Sequence, residues 1–209
     1  MKQTYTTLFL IVFALMIVSC TPPQPVYDKL AGKEKARVVK QLDAIYDADQ
    51  LPRQKLMLLI DQHGLASQEV KALWQVIERH DAANLLKVTK LLDKYGWLSA
   101  QDVGEKGNSA LFLVIQHADR KTWEKYVPVM RDAVKRKHAN AADLAKLEDR
   151  LALEQGKKQL YGTQLGRDKT TNRYYVFPIE DPDHLDARRI EMGLDSMRVY
   201  VSAWGIAWK

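Results

Sequence analysis

Apolar residues recur at helical spacing along most of the chain and predict a series of amphipathic helices. In the first segment, Val38, Leu42, Ile45 and Tyr46 follow this spacing, and comparable stripes continue towards residue 156. The predicted helical segments are residues 33–50, 53–64, 67–80, 81–96, 99–104, 108–119, 121–137 and 142–156. Such segments bury their apolar faces by packing helix against helix.

Prolines and capping residues divide this pattern. Pro52 is expected to interrupt the first helix or start a new one, and Pro128 to kink or split a later helix. Ser67, Ser99 and Asn108 have side chains suited to capping helix N-termini. Glycines that can end helices follow at Gly64, Gly96 and Gly156.

The periodicity changes after Leu160. The short segments QLYGTQ (159–164) and NRYYVFPI (172–179) are rich in β-branched and aromatic residues, with turn formers between them. This predicts a hairpin at about 159–179. A short helix is expected after Pro182. We therefore predict a mostly α fold: a single helical domain of about six to eight helices, with a small β-hairpin in the C-terminal third.

Composition supports one globular domain and sets limits on its partners. The chain has 209 residues, of which 46% are hydrophobic, and this is enough for a real core. The net charge is +6, but Lys and Arg alternate with Asp and Glu along the helices, so no nucleic-acid partner is predicted. The densest basic run, residues 131–138, is interpreted as cations in the last turn of a helix.

The N-terminus resembles a bacterial lipoprotein signal. Lys2 precedes an apolar run from Leu8 to Val18, and Ser19-Cys20 completes a lipobox-like end. We predict a signal peptide at 1–19 and lipidation of Cys20, with the lipid bilayer as partner. An ordinary secretory signal with a chance cysteine, or an uncleaved anchor, is the alternative. Cys20 is the only cysteine, so a mature chain has no internal disulfide.

A proline-rich stretch follows the cysteine. TPPQP at 21–25 favours an extended spacer, and we assign residues 20–33 to the lipidated cysteine and its tether. Residues 34–209 form the predicted domain. Thr21 is not the aspartate that commonly retains lipoproteins at the inner membrane. We therefore expect a cell-envelope protein anchored to the outer membrane and facing the periplasm.

The chain also resembles a widespread bacterial family of unknown function, over roughly residues 36–200. The residues that carry the resemblance are DADQLPR (47–53), GWLS (96–99), Gly104, QHAD (116–119), DR (149–150), QLYGTQ (159–164), PIEDP (178–182), Arg188, Arg189 and MGL (192–194). Their order and spacing together are more specific than any one motif. The resemblance implies kinship and no particular activity.

One group of candidate site residues ends a buried helix. Gln116, His117 and Asp119 follow a continuous apolar run. Neutral His117 could accept a proton, with Asp119 or another carboxylate orienting the ring. The alternative is a histidine bonded to a neighbouring carbonyl at a helix end.

A second group lies in the predicted hairpin. On a strand, Gln159, Tyr161 and Thr163 would share one face, as the wall of a ligand pocket, and Gln164 adds an amide. A solvated hairpin face is the alternative.

Charged residues follow the hairpin. Glu180 and Asp181 precede Pro182, and one of these carboxylates could act as a general base. Alternatively, Asp181 could cap the helix. Arg188 and Arg189 could clamp an anionic ligand or pair with nearby acids.

Two further charges lie in the helical segment 142–156. Asp149 is interpreted as a salt-bridge partner of its neighbours. Arg150, near the apolar stripe, is expected to need a carboxylate from Asp47, Asp49 or Asp181.

Several common sites are missing from the sequence. It contains no glycine-rich phosphate loop, no HExxH and no GxSxG, and its five histidines lack zinc spacing. No cofactor or metal is predicted. Three functions remain: a lipoprotein that binds a small polar or anionic ligand or an envelope partner, a hydrolase or transferase with His117 or a carboxylate as base, and a structural envelope protein without a site.

Overall fold

A computed structural model describes residues 27–208, and the predicted signal peptide, Cys20 and the first part of its tether, up to residue 26, lie outside this range. Two long helices, α1 (Gly32–His63) and α2 (Gln68–Tyr95), form an antiparallel pair. Helix α3 (Ala100–Gln116) packs mainly against α1. Helices α4 (Arg120–Lys135) and α5 (Ala141–Glu154) pack against each other.

The C-terminal part holds the small elements. Strands β1 (Leu165–Arg167) and β2 (Tyr174–Val176) pair antiparallel. A 3₁₀ turn (Pro182–His184) leads into α6 (Leu185–Glu191), and α7 (Met197–Ser202) is the last described helix. Helices make up 68% of the structure, so the predicted fold class is confirmed. Within residues 27–208, no helix is both long and apolar enough to cross a membrane.

Apolar side chains form three buried clusters. The largest joins α1 to α5 and includes Leu42, Leu92, Leu111 and Leu147. The cluster is large because the apolar stripe of each helix leaves water only by packing against the stripes of neighbouring helices. A small cluster, Leu56, Val70 and Ile77, closes the distal end of the α1–α2 pair. Another, Leu185, Met197 and Val201, lies beneath the β-hairpin.

Pro52 does not break the first helix, contrary to expectation, and α1 runs through it. Proline at this position cannot donate to the carbonyl of Ala48, four residues earlier. Nδ1 of His80, on α2, lies 3.0 Å from that carbonyl oxygen. A carbonyl only accepts, so His80 donates and replaces the missing helical bond.

Two other predicted boundaries also differ. Helix α4 is continuous through Pro128. Asn108 lies inside α3 and caps nothing; its amide donates to the carbonyls of Leu98 and His138, at 2.7 and 2.9 Å. The irregular point of α3 is Gly104, whose φ of 76° is readily adopted only by glycine. The predicted caps Ser67 and Ser99 are confirmed.

The segment QLYGTQ, here called the 159–164 loop, is not a strand as predicted. Gln159 forms an isolated bridge with Ile179, and regular pairing begins only at Leu165. Gly162 has a φ of 65°, which interrupts an extended chain. The alternating faces expected for a strand are therefore absent from this loop.

Candidate functional site

A buried carboxylate marks the meeting point of α1, α2 and α3. Asp49 on α1 has no exposed surface. Its Oδ1 lies 2.9 Å from Nδ1 of His117, and its Oδ2 accepts a hydrogen bond from the Gln50 amide at 2.7 Å. Asp49 occupies a position on the buried face of α1, seven residues before Leu56 and four after Ile45. The helix therefore holds the carboxylate inside the protein.

Arg53 connects this carboxylate to α2. One guanidinium nitrogen donates to the Asp49 side chain at 3.1 Å and to the Asp49 carbonyl at 2.9 Å. The other donates to both oxygens of Asp81, at 2.9 and 2.7 Å. Four hydrogen bonds thus fix the guanidinium between two carboxylates.

The neighbours of Asp49 favour its ionised form. Burial alone would raise the pKa of this carboxyl, but hydrogen bonds from His117 and Gln50, with the positive charge of Arg53, lower the pKa below its ordinary value. An ionised carboxylate only accepts hydrogen bonds, so Nδ1 of His117 carries the proton. The other ring nitrogen, Nε2, is then unprotonated in the neutral ring.

His117 lines a small cavity. The His117 side chain is 23% exposed, and within residues 27–208 no hydrogen-bond partner contacts Nε2. The cavity has a volume of about 90 Å³, and its lining residues are Asp81, Ala82, Leu85, Val114, His117 and Ala118. A neutral imidazole oriented by a buried carboxylate, with Nε2 accessible, is the arrangement of a general base. We call Asp49, Arg53, Asp81 and His117 the α1–α2–α3 site.

The same residues offer a possible ligand set for a cation. Asp49, Asp81 and His117 each provide one donor atom, and these atoms lie within 4.8 Å of one another. Arg53 already places a positive charge between the two carboxylates. A metal ion would have to displace this guanidinium. The positive charge of Arg53 therefore already compensates the negative charges of Asp49 and Asp81.

Asp119 and Gln116 flank His117 but do not orient it. The Asp119 carboxylate accepts from the backbone N–H of Thr122 at 2.9 Å and caps α4. Hydrogen bonds from Thr122 also lower the pKa of Asp119. Gln116, the last residue of α3, is partly buried. The orienting carboxylate is Asp49, which the sequence marked as part of the DADQLPR motif and as a potential partner of Arg150.

The second group of predicted site residues surrounds another buried aspartate. Asp149 on α5 accepts backbone hydrogen bonds from Leu160, Tyr161 and Thr163, at 2.6, 2.9 and 2.9 Å. The Thr163 hydroxyl donates to it as well, at 2.9 Å. The expected salt bridge is replaced by these four hydrogen bonds, which wrap the 159–164 loop around the carboxylate.

The glutamines of this loop bond to the backbone. Gln159 is fully buried, and its amide donates to the carbonyls of Gln164 and Phe177, at 3.2 and 2.9 Å. The Gln164 amide donates to the Lys146 carbonyl at 3.4 Å and to the Thr163 hydroxyl at 3.0 Å. Burial and the nearby Glu148 raise the pKa of Tyr161 to about 12, so its phenol stays protonated.

The two arginines of α6 hold the same loop. Arg188 donates to the carbonyls of Leu160, Glu180 and Asp181, at 3.0, 2.6 and 2.8 Å. Arg189 is 1% exposed and donates to the carbonyls of Asp195 and Tyr161, at 2.6 and 2.5 Å. Both predicted anion clamps are therefore occupied by backbone oxygens.

The acids before α6 lie at the surface. Asp181 contacts His184 at 2.9 Å and Arg188 at 3.5 Å, and its side chain makes no capping hydrogen bond. Glu180 is exposed and lies 3.9 Å from Lys158.

Arg150 lacks the carboxylate partner that we expected. No ion pair of Arg150 is present in the described part of the chain, and its Nε is buried without a hydrogen-bond partner. The guanidinium instead lies 5.8 Å from the centre of the Trp123 ring. Burial lowers the pKa of Arg150, although it stays a cation.

The predicted residues therefore fall into two separate networks. Among residues 27–208, no hydrogen bond or ion pair joins the α1–α2–α3 site to the 159–164 loop. Sequence reasoning missed Asp49, Arg53 and Asp81 as site residues. The available signal was Asp49 itself, an acid in the apolar stripe of Val38, Leu42 and Ile45.

Comparison with known proteins establishes the family. The sequence matches the model of a family of unknown function, DUF6624, over residues 37–208. The chain belongs to this family. Searches of curated proteins and of solved structures found no match.

Proposed function

We propose that this member of DUF6624 is a membrane-anchored lipoprotein that performs acid–base chemistry on a small polar substrate, as a hydrolase or transferase. The observation that supports it is the Asp49–His117 hydrogen bond beside a cavity that His117 lines, with no hydrogen-bond partner at Nε2 within the described residues. Anchoring rests on the lipobox-like sequence at Cys20.

In this proposal each side chain of the site has a role. Nε2 of His117 accepts a proton from water or a substrate hydroxyl, and the resulting imidazolium is stabilised by ionised Asp49. Arg53 and Gln50 hold that carboxylate in place and keep it ionised. Asp81, fixed by Arg53, lines the cavity and can accept a hydrogen bond from the substrate.

Ligand binding without turnover is the second candidate, and the polar wall formed by Asp81 and His117 favours it. Thermal-shift screening with small metabolites would detect either function, because a ligand that binds only the folded state raises the melting temperature. Product formation separates the two functions.

The test of catalysis is a panel of ester, amide, phosphoester and glycoside substrates, with His117→Gln as the decisive variant. We expect turnover to fall about 100-fold or more, because general-base catalysis typically contributes that much. His63→Gln is the matched control, since His63 is exposed at the end of α1. Full turnover by His117→Gln would refute the assignment.

Anchoring has its own test. Cys20→Ala should abolish acyl labelling, because the proposed attachment site is lost, and should either leave an unlipidated precursor or release the protein from the membrane fraction. Unchanged acyl labelling in this variant would refute the lipobox interpretation and leave the catalytic proposal intact.

A further inference from the structure

A basic groove runs between the start of α1 and the end of α2. Its volume is about 310 Å³. Four cations line it, Arg37, Lys87, Lys90 and Lys94, together with a single carboxylate, Glu34. The groove therefore carries a net positive charge.

Most of these cations are available to an external partner. Lys87 and Lys90 are exposed and form no ion pair within residues 27–208. Lys94 is 53% exposed, and its closest carboxylate is exposed Asp28, at 3.8 Å. Only Arg37 is tied down, by Glu34 at 2.6 Å.

The chain enters the folded body beside this groove. The backbone N–H of Asp28 donates to the carbonyl of Lys94 at 3.0 Å. The Tyr27 ring packs so closely on Gly96 that an added Cβ there would lie 2.7 Å from it. Gly96 also has a φ of 67°, which side chains disfavour. Both the close approach of Tyr27 and the backbone conformation therefore require glycine here.

This entry point places the groove near the proposed anchor. Seven residue steps separate Cys20 from Tyr27, so this tether can reach about 22 Å at the ~3.1 Å per residue of a polyproline-type chain. A tether of this length keeps the body close to the bilayer at a high effective concentration. Weak electrostatic attraction is then sufficient to select an orientation.

We propose that the basic groove docks on anionic phospholipid headgroups of the membrane that holds Cys20. The inference rests on the proposed lipid anchor and goes beyond it by fixing which face meets the bilayer. At 100° per residue, Lys90 in the groove and Leu85 in the His117 cavity point about 140° apart on α2. Docking through the groove therefore leaves the α1–α2–α3 site open to the periplasm.

Vesicle binding of the unacylated mature chain, carrying Cys20→Ser, tests the groove without the lipid. Vesicles of phosphatidylglycerol and phosphatidylethanolamine are compared with vesicles of phosphatidylcholine and phosphatidylethanolamine. The Lys87→Gln, Lys90→Gln, Lys94→Gln variant should lower binding to the anionic vesicles about 100-fold, at about fivefold per lysine. Added salt should weaken binding of the parent chain, because it screens the attraction.

The matched control is Lys71→Gln, Lys157→Gln, Lys169→Gln, which removes the same charge from exposed lysines elsewhere. We expect it to change binding less than about threefold. Equal losses in the two triple variants, or equal binding to both vesicle types, would overturn the proposal. Position 20 is serine throughout, so these results are independent of whether Cys20 is acylated.

Discussion

Two buried aspartates, Asp49 and Asp149, sit in opposite kinds of environment. Asp49 is surrounded by side chains, and one of them, His117, keeps a nitrogen free beside a cavity. Asp149 is surrounded mainly by backbone N–H groups of the 159–164 loop. The first carboxylate orients a group that can react, and the second organises a segment of chain.

The pKa directions reflect this difference. Charged and hydrogen-bonding neighbours outweigh burial at Asp49 and lower its pKa. At Asp149, burial outweighs four hydrogen bonds from neutral donors and raises the pKa. Burial of an acid alone therefore does not mark a site; the character of its partners does.

The largest effect is expected for Asp149→Ala. This change leaves three backbone N–H groups of the loop without an acceptor, and at roughly 1–3 kcal/mol for each unsatisfied buried donor we expect about 3–5 kcal/mol less free energy of unfolding. Urea denaturation measures it. Asp61→Ala, on the exposed surface of α1, is the control and should change stability by no more than ~0.5 kcal/mol. A decrease in unfolding free energy for Asp149→Ala as small as that of the control would contradict the organising role of Asp149.

Asp49→Ala should lower the free energy of unfolding by a smaller amount, about 2–3 kcal/mol in the same urea measurement. Arg53 keeps its two hydrogen bonds to Asp81, and His117 is partly exposed to water, so fewer groups are left unsatisfied. A loss exceeding that of Asp149→Ala would contradict the contrast between the two networks.

The pH dependence of stability should also separate the two acids. The pKa of Asp49 is lowered in the folded state, so its contribution is present above the ordinary carboxyl pKa and is lost as pH falls through the folded value. Acid should therefore shrink the stability difference between the wild type and Asp49→Asn.

The contribution of Asp149 to stability should change with pH in the opposite direction. Its folded pKa is raised, so acidification from neutral pH should increase the stability of the wild type relative to Asp149→Asn. Urea unfolding of both variants between neutral and acid pH is the measurement. Differences that change in the same direction would contradict the two environments described above.

His117→Gln should have the smallest effect on stability, below about 1 kcal/mol, because its side chain is partly exposed and glutamine can still donate to Asp49. A loss of several kcal/mol would indicate a structural role for His117.

The helical part of the fold was predictable because apolar periodicity reports burial directly. The caps Ser67 and Ser99 were predictable for another reason, because capping depends on residues close in sequence. Pro52 misled the prediction because its compensation is non-local: His80, on another helix, supplies the missing hydrogen bond. Local rules contain no information about such a partner.

The candidate site was only partly predictable. His117 stood out because it follows a buried stripe, but its orienting acid lies 68 residues away in sequence. The 159–164 loop looked like a ligand site because a polar segment that binds its own protein has the same composition as one that binds a ligand. Only the positions of Asp149 and Arg189 distinguish the two cases.

The central claim is that Asp49 holds His117 as a general base with a free Nε2. Nitrogen-15 NMR of the histidine rings tests it most directly, because it reports which nitrogen carries the proton. We predict that neutral His117 is protonated at Nδ1 in the wild type and loses this preference in Asp49→Asn. Protonation of the neutral ring at Nε2 in the wild type, or an unchanged preference in Asp49→Asn, would contradict the account.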